Sequence, residues 1–202
     1  MNEPEFEWNV VKAARNEADH GVTFDMAKDV FKDPFAIEWL DDREDYGEDR
    51  FVIIGVVDNR LLYVAYTMRG EAIRIISARG AEPHERDNTT KTTAAKSSKR
   101  DWSRFDAMSK AQRHAAATHD ADAKPLTPAD FKRMKRTPQV KLIRRALGLT
   151  QQEFAGRFHI PLGTLRDWEQ GAAVPDQSAR AYLTVIARDP GAVRKALATV
   201  HV

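Results

Sequence analysis

The sequence predicts two fold classes in one chain, an α+β domain followed by an all-α domain. In the first part, two helical patterns precede a run of apolar strand segments joined by tight turns. In the last part, short amphipathic segments are punctuated by capping residues, glycine and proline, which indicates packed helices. The stretch between them is polar and basic, the composition of a linker. We therefore predict an α+β domain at residues 1–86, a linker with one possible helix at 87–124, and a helical domain at 125–202.

Composition and charge narrow the class of protein. Hydrophobic residues make up 42% of the 202-residue chain, and there is no cysteine for a disulfide or a thiolate zinc site. The apolar runs are too short to span a bilayer and no secretory signal is visible, so we expect a cytoplasmic protein. We also predict that the protein uses no cofactor and no metal ion. The formal net charge is −7 over residues 1–81, +5 over 82–137 and +4 over 138–202. The basic part is suited to phosphate, with a dipolar surface that has no function as the alternative.

The first domain is predicted to place two helices against one face of a four-stranded antiparallel sheet. Apolar spacing predicts a helix at Asn9–His20, which Gly21 ends, and Thr23 caps a second helix. Apolar runs rich in β-favouring residues, with tight turns between them, then indicate strands. The predicted strands are Phe35–Leu40, Phe51–Val57, Leu61–Met68 and Ala72–Ala78.

The linker contains two aromatic residues, Trp102 and Phe105, and an alanine-rich stretch, Ala107–Ala117, that is compatible with a helix. Opposite charge favours docking of this basic region on the acidic first domain. Thr127 followed by Pro128 is typical of a capped helix that begins the last domain.

The last domain contains the motif of a helix-turn-helix. Thr150 and Glu153 form a capping box that opens one helix, a turn follows at His159–Pro161, and the next helix is Leu162–Gln170. The run LGLTQQEFAGRFHIPLGTLRDWEQG closely resembles the helix-turn-helix of the phage-repressor (XRE) family. The resemblance is greatest to the antitoxin branch typified by HigA and MqsA.

This resemblance implies that Leu162–Gln170 enters the major groove of duplex DNA and that the protein binds its operator as a homodimer. Arg166 can fork onto guanine, with a phosphate contact or a solvated side chain as the alternative. Glu169 is expected to pair with Arg144 of the first helix, as in the family. The candidate DNA-binding residues are Gln151, Gln152, Leu162, Gly163, Thr164, Arg166 and Asp167.

Residues 6–81 resemble a second family, the BrnT toxins, which have a compact RelE-like ribonuclease fold. The matching positions include Lys12, Asn16 and His20, and the strand Arg74–Arg79 (RIISAR) is the most specific element. The resemblance implies metal-independent RNA cleavage. That reaction needs a group that activates the ribose 2′-hydroxyl and cations that stabilise the phosphorane.

The candidate catalytic residues are Lys12, His20, Arg50, Arg74 and Arg79. In the alternative interpretation, His20 only complements the dipole at a helix C-terminus and Arg74 only pairs with an acidic neighbour. Arg74 and Arg79 are an odd number of residues apart, so they face opposite sides of a regular strand unless a bulge intervenes.

The two resemblances together favour a fusion of a toxin and an antitoxin, which normally come from neighbouring genes. The first hypothesis is a type II toxin–antitoxin protein with a masked ribonuclease and a DNA-binding part that represses its own promoter. The second is a transcriptional repressor with a catalytically inactive BrnT-like interaction domain, favoured by the short Glu82–Asn88 where the family continues into a basic helix. The third is an enzyme of unrelated chemistry.

Overall fold

The computed structural model describes residues 5–86 and 100–198. The α+β domain begins with α1, whose N-cap Asn9 accepts a hydrogen bond from the Lys12 amide at 3.0 Å. Gly21 ends α1 with φ at 65°, and a Cβ there would lie 2.8 Å from the backbone of Phe105, so glycine is required twice over. The helices of this domain are α1 (Val10–His20), α2 (Phe24–Ala27), a 3-10 helix (Lys28–Lys32) and α3 (Pro83–Arg86).

The sheet has five strands and is mixed, which corrects the predicted four-stranded antiparallel sheet. Its order is β1-β5-β4-β3-β2, and β1 pairs with β5 in parallel. The prediction missed β1 because a strand of two residues carries no period-two pattern and its partner is distant in sequence. The strands are β1 (Phe6–Glu7), β2 (Ile37–Asp41), β3 (Arg50–Val57), β4 (Arg60–Arg69) and β5 (Ala72–Gly80).

A bulge in β5 changes which side chains share a face. The pairing with β4 shifts by one residue between Ala65 and Tyr66, so Ile76 is the extra residue of β5. As a result Arg74 and Arg79 lie on the same face of the sheet, the one opposite α2 and the 3-10 helix. The alternation expected of a regular strand is interrupted there.

Residues 100–137, which we call the cover segment, wrap around the sheet. Trp102 and Phe105 join the core that the sheet shares with α2 and the 3-10 helix, whereas Ala123, Leu126 and Met134 join a second core on the opposite face. Both faces of the sheet are therefore buried. The helices of this segment are α4 (Ser103–Ala107), α5 (Lys110–His119) and α6 (Pro128–Arg133).

The cover segment also closes the β2 edge of the sheet. The Leu40 amide donates to the carbonyl of Lys135 at 3.0 Å, and the Thr137 amide donates to the carbonyl of Glu38 at 2.8 Å. These hydrogen bonds satisfy an edge that would otherwise be open to another strand.

The stretch predicted as a linker is folded from residue 100 onward, and residues 87–99 lie outside the described part of the chain. Its predicted helix Ala107–Ala117 is observed as α5, Lys110–His119. Ser109 forms a capping box with Gln112, which sets the start of α5 after Met108.

The C-terminal helices surround a third core that contains Phe154, Phe158, Leu165 and Ile186, and Phe35 of the α+β domain packs against it. These helices are α7 (Gln139–Ala146), α8 (Gln151–Arg157), α9 (Leu162–Gln170), α10 (Gln177–Arg188) and α11 (Pro190–Ala198). Across residues 5–86 and 100–198, none of the helices has both the length and the apolar character that crossing a membrane requires.

Candidate functional site

Lys12 and Arg50 converge on one carboxylate of the cover segment. Asp122 Oδ1 accepts a hydrogen bond from Arg50 Nη1 at 2.9 Å, and Asp122 Oδ2 accepts one from Lys12 Nζ. The Arg50 guanidinium also lies 4.1 Å from the centre of the Tyr46 ring. Packing of α1 beside the sheet thus brings together two cations that are far apart in sequence.

His20 binds a second carboxylate of the same turn. Asp120 Oδ2 accepts hydrogen bonds from Ser77 Oγ at 2.6 Å and from His20 Nε2 at 3.1 Å. Burial alone would raise the pKa of Asp120, but the hydrogen bonds from His20 and Ser77 outweigh it and lower the pKa to about 2. An ionised carboxylate only accepts, so His20 carries a proton on Nε2.

Arg79 has the environment of a structural arginine. It is 1% exposed, and its two terminal nitrogens each donate to a different oxygen of Glu85 at 2.8 Å. Its Nε donates to the carbonyl of Ala123 at 2.6 Å, and its guanidinium lies 3.8 Å from the centre of the Tyr63 ring. Burial opposes both charges, but the pairing raises the pKa of Arg79 and lowers the pKa of Glu85.

Arg74 stands apart from these contacts. It is half-buried and pairs in register with Thr67, which on its other side pairs with Arg50. Arg74 makes no hydrogen bond or ion pair with any residue in the described ranges. Four of the five candidate catalytic side chains, Lys12, His20, Arg50 and Arg79, therefore contact the cover segment, and Arg74 does not.

Sequence reasoning missed the partners of these side chains. Asp120 and Asp122 lie in a stretch whose composition is that of a linker, and Glu85 lies in a segment that departs from the resembled family. The available signal was the pattern Asp-Ala-Asp-Ala at residues 120–123, two acids between small residues inside a basic stretch.

The outer face of α9 is open. Gly163, Arg166 and Asp167 are exposed, whereas Leu162 and Thr164 are half-buried. Leu165 points the opposite way and is fully buried in the helical core. Side chains on the first two turns of α9 are thus free to meet a groove.

A buried ion pair fixes α9 against α7. Arg144 Nε and Nη2 donate to the two oxygens of Glu169 at 2.6 and 2.9 Å. Gln151 Nε2 donates to the same carboxylate at 2.9 Å, while the neighbouring Gln152 is exposed. Gln151 therefore both supports α9 and stands at the N-terminus of α8, where anions are favoured.

The next arginine along α7 connects the helical unit to the sheet. Arg145 Nη1 donates to both oxygens of Glu38 at 3.2 and 3.0 Å, and its Nη2 donates to the Tyr66 hydroxyl at 3.2 Å. Glu38 is 1% exposed and also accepts from the hydroxyls of Tyr66 and Thr137 at 2.5 and 2.7 Å. Every partner in this buried network is charged or hydrogen-bonded, as burial demands.

Residues 8–85 match the family model of the ribonuclease toxin BrnT of type II toxin–antitoxin systems, and residues 140–179 match a helix-turn-helix family model. Among solved structures, the crystal structure of an HTH XRE-family like protein from Agrobacterium tumefaciens is 67% identical to this chain. That match covers 30% of this chain and 97% of the other, with a TM-score of 0.29. No curated protein matches the chain. The chain thus joins a toxin domain of the BrnT ribonuclease family to an XRE-type helix-turn-helix domain, the composition of a toxin–antitoxin-like regulator.

Proposed function

We propose that this protein is a fused toxin–antitoxin regulator whose ribonuclease site is masked by its own cover segment. The observation that carries the proposal is the occupation of the candidate site. Asp120 and Asp122 bind His20, Lys12 and Arg50, and the carbonyl beside them binds Arg79. RNA cannot reach these groups while the turn is in place.

The proposed chemistry uses these groups in two roles. Once Asp120 has left, His20 Nε2 takes the proton of the 2′-hydroxyl as the 2′-oxygen bonds to phosphorus, and returns it to the 5′-oxygen as the bond to that oxygen breaks. Lys12 and Arg50 stabilise the negative charge that develops on phosphorus. Both terminal nitrogens of Arg79 donate to Glu85, which favours a structural role for Arg79.

Removing the mask in the full chain tests the ribonuclease. Ala123 is fully buried against the sheet, so Ala123→Arg displaces the turn that carries Asp120 and Asp122. We expect growth arrest and RNA cleavage on induction, and both effects should disappear when Lys12→Ala is added. Ala121→Arg places the same side chain at an exposed position of the same turn and should leave growth and RNA intact.

The second candidate function is a transcriptional repressor with an inactive toxin-family domain. The burial of the cover segment favours this function, because Trp102 and Leu126 are parts of the two cores of the sheet and do not merely lie on its surface. Intact RNA and normal growth in a folded Ala123→Arg variant would establish this reading and contradict the ribonuclease.

The helix-turn-helix is proposed to bind the promoter of its own gene as a homodimer and to repress it. The exposed face of α9 supports DNA contact. A reporter driven by that promoter should be repressed by the wild-type chain. Sedimentation of the protein on operator DNA should give two chains per site, and one chain per site would contradict the homodimer.

A further inference from the structure

The cations at the masked site lack counter-charges of their own. Within the described residues, the ion pairs of Lys12, His20 and Arg50 are all made with Asp120 or Asp122 of the cover segment. The toxin domain is acidic overall, yet it places no carboxylate on these three side chains. Such a cluster of cations is suited to an anion that comes from outside the domain.

The donors form two sets. At the first position Ser77 and His20 bind Asp120, and at the second position Lys12 and Arg50 bind Asp122. Ser77 Oγ also lies 3.1 Å from Asn16 Oδ1, so its hydroxyl keeps an acceptor when the first position is empty. The two positions are therefore separate and both are prepared for an acceptor.

A carboxylate does not satisfy the second position. Arg50 Nε is buried and has no hydrogen-bond acceptor among the described residues, since Asp122 receives only Nη1. The two oxygens of Asp122 are divided between Arg50 and Lys12. A phosphate group offers more oxygens and accepts the two-donor fork of a guanidinium.

The two positions lie close enough together to be occupied by one nucleic-acid strand. Asp120 and Asp122 are two residues apart in a turn closed by the Asp122 amide, which donates to Asp120 Oδ1 at 2.9 Å. Two residues span at most about 7 Å of chain, a distance comparable to that between neighbouring phosphates along one strand. Arg74 shares this face and has no partner among the described residues, which adds a cation beside the two positions.

We propose that Lys12, Arg50, His20 and Ser77 form a two-position site for consecutive phosphate groups of single-stranded RNA. Asp120 and Asp122 occupy the two positions as built-in competitors. The inference deepens the proposed ribonuclease function and rests on it for the choice of RNA.

The test uses adenosine 3′,5′-bisphosphate, which carries two phosphates across one ribose, with adenosine 5′-monophosphate for comparison. The full chain and its Asp120→Asn/Asp122→Asn variant are titrated by calorimetry at low salt. We expect the variant to bind the bisphosphate at least about tenfold more tightly than the wild type, with a smaller gain for the monophosphate. Adding Lys12→Met and Arg50→Met should remove the gain.

Asp106→Asn is the matched control, because Asp106 also lies on the cover segment but pairs with Arg60 of β4, outside the site. The affinity of the Asp106→Asn variant for the bisphosphate should stay at the wild-type level. If the double variant unfolds, Asp122→Asn alone keeps the Asp120 contacts and should show part of the gain. Equal affinity for the bisphosphate in the wild type and a folded variant would overturn the proposal. So would a gain in affinity that persists after Lys12 and Arg50 are replaced. An equally large gain for deoxyadenosine 3′,5′-bisphosphate would contradict the choice of RNA.

The experiments distinguish failure of the proposed ribonuclease from failure of the proposed phosphate site. RNA cleavage by the Ala123→Arg variant without a gain in bisphosphate affinity would uphold the ribonuclease and overturn the competitor role. A gain in affinity without cleavage by any variant would uphold the phosphate site and overturn the ribonuclease.

Discussion

Arg79 lies in the strand that most resembles the BrnT toxins, yet its contacts are those of a residue that holds the domain together. Glu85, which pairs with it, is fully buried and also accepts the amides of Glu82 and Leu126 at 2.7 and 3.0 Å. The pair therefore links β5, α3 and the cover segment. Removing one partner of a buried pair leaves the other charge without compensation.

We predict that Arg79→Ala lowers the free energy of unfolding by about 3–5 kcal/mol. Equilibrium denaturation in urea measures the change. Arg74→Ala is the control, since Arg74 is half-buried and unpaired among the described residues, and it should change stability by less than about 0.5 kcal/mol. A fully stable Arg79→Ala protein would show that the pair with Glu85 is not structural.

Asp120 gives the contact between cover and toxin domain a defined pH dependence. Its pKa is lowered from the ordinary value of 3.8 to about 2 in the folded protein, so its contribution to stability is present above pH 3.8. The contribution is lost as the pH falls from 3.8 towards 2 and amounts to at most about 2 kcal/mol. Asp120→Asn should flatten the dependence of unfolding on pH in this window, whereas Asp25→Asn, at an exposed position of α2, should not. Identical pH profiles for Asp120→Asn and the wild type would contradict this account.

At the scale of elements, α9 separates a buried from an open face. Leu165 and Glu169 hold it against its neighbours, while Arg166 is exposed. Because the supporting contacts are all on the inner side, substitution of Arg166 is expected to affect DNA binding without affecting the fold.

If Arg166 reads a base, Arg166→Ala should cost about 1–3 kcal/mol at one operator position and relax the preference there. Fluorescence anisotropy with operators changed at each base pair measures this. Arg194→Ala, at an exposed position of α11, should bind as the wild type does. A uniform loss across all operators would instead make Arg166 a phosphate contact.

The elements differ in how far the sequence predicts them. Strands β3 to β5 follow from runs of β-favouring apolar residues and short turns, which are local signals, whereas β1 has two residues and a distant partner. The cover segment has the composition of a linker because its apolar residues are few, and these residues join the two cores of the sheet instead of forming a core of their own. Its contacts with the candidate site join residues 72 and 110 positions apart, Arg50 and Lys12 with Asp122, and no local pattern predicts those.

At the scale of the whole molecule, consecutive arginines of α7 face in two directions. Arg144 holds α9 through Glu169, and Arg145 holds the sheet through Glu38. The DNA-binding element and the toxin domain are thus connected through one turn of helix.

Arg145→Ala should weaken the contact between the two units, because it removes the charge that compensates the buried Glu38. We expect two thermal unfolding transitions in place of one, and a larger radius of gyration by small-angle X-ray scattering. Arg188→Ala, at an exposed position of α10, should leave both unchanged. A single transition with an unchanged radius would show that the Arg145 network does not hold the units together.

The cover segment and the surface beneath it are parts of one polypeptide, and this determines how their association responds to abundance. An inhibitor made as a separate protein dissociates on dilution and depends on matched synthesis. Here both parts lie on one chain, so their effective concentration for each other does not depend on the number of copies in the cell. Stoichiometry is fixed at one to one during synthesis itself, so neither dilution nor unequal turnover of two partners can shift the balance.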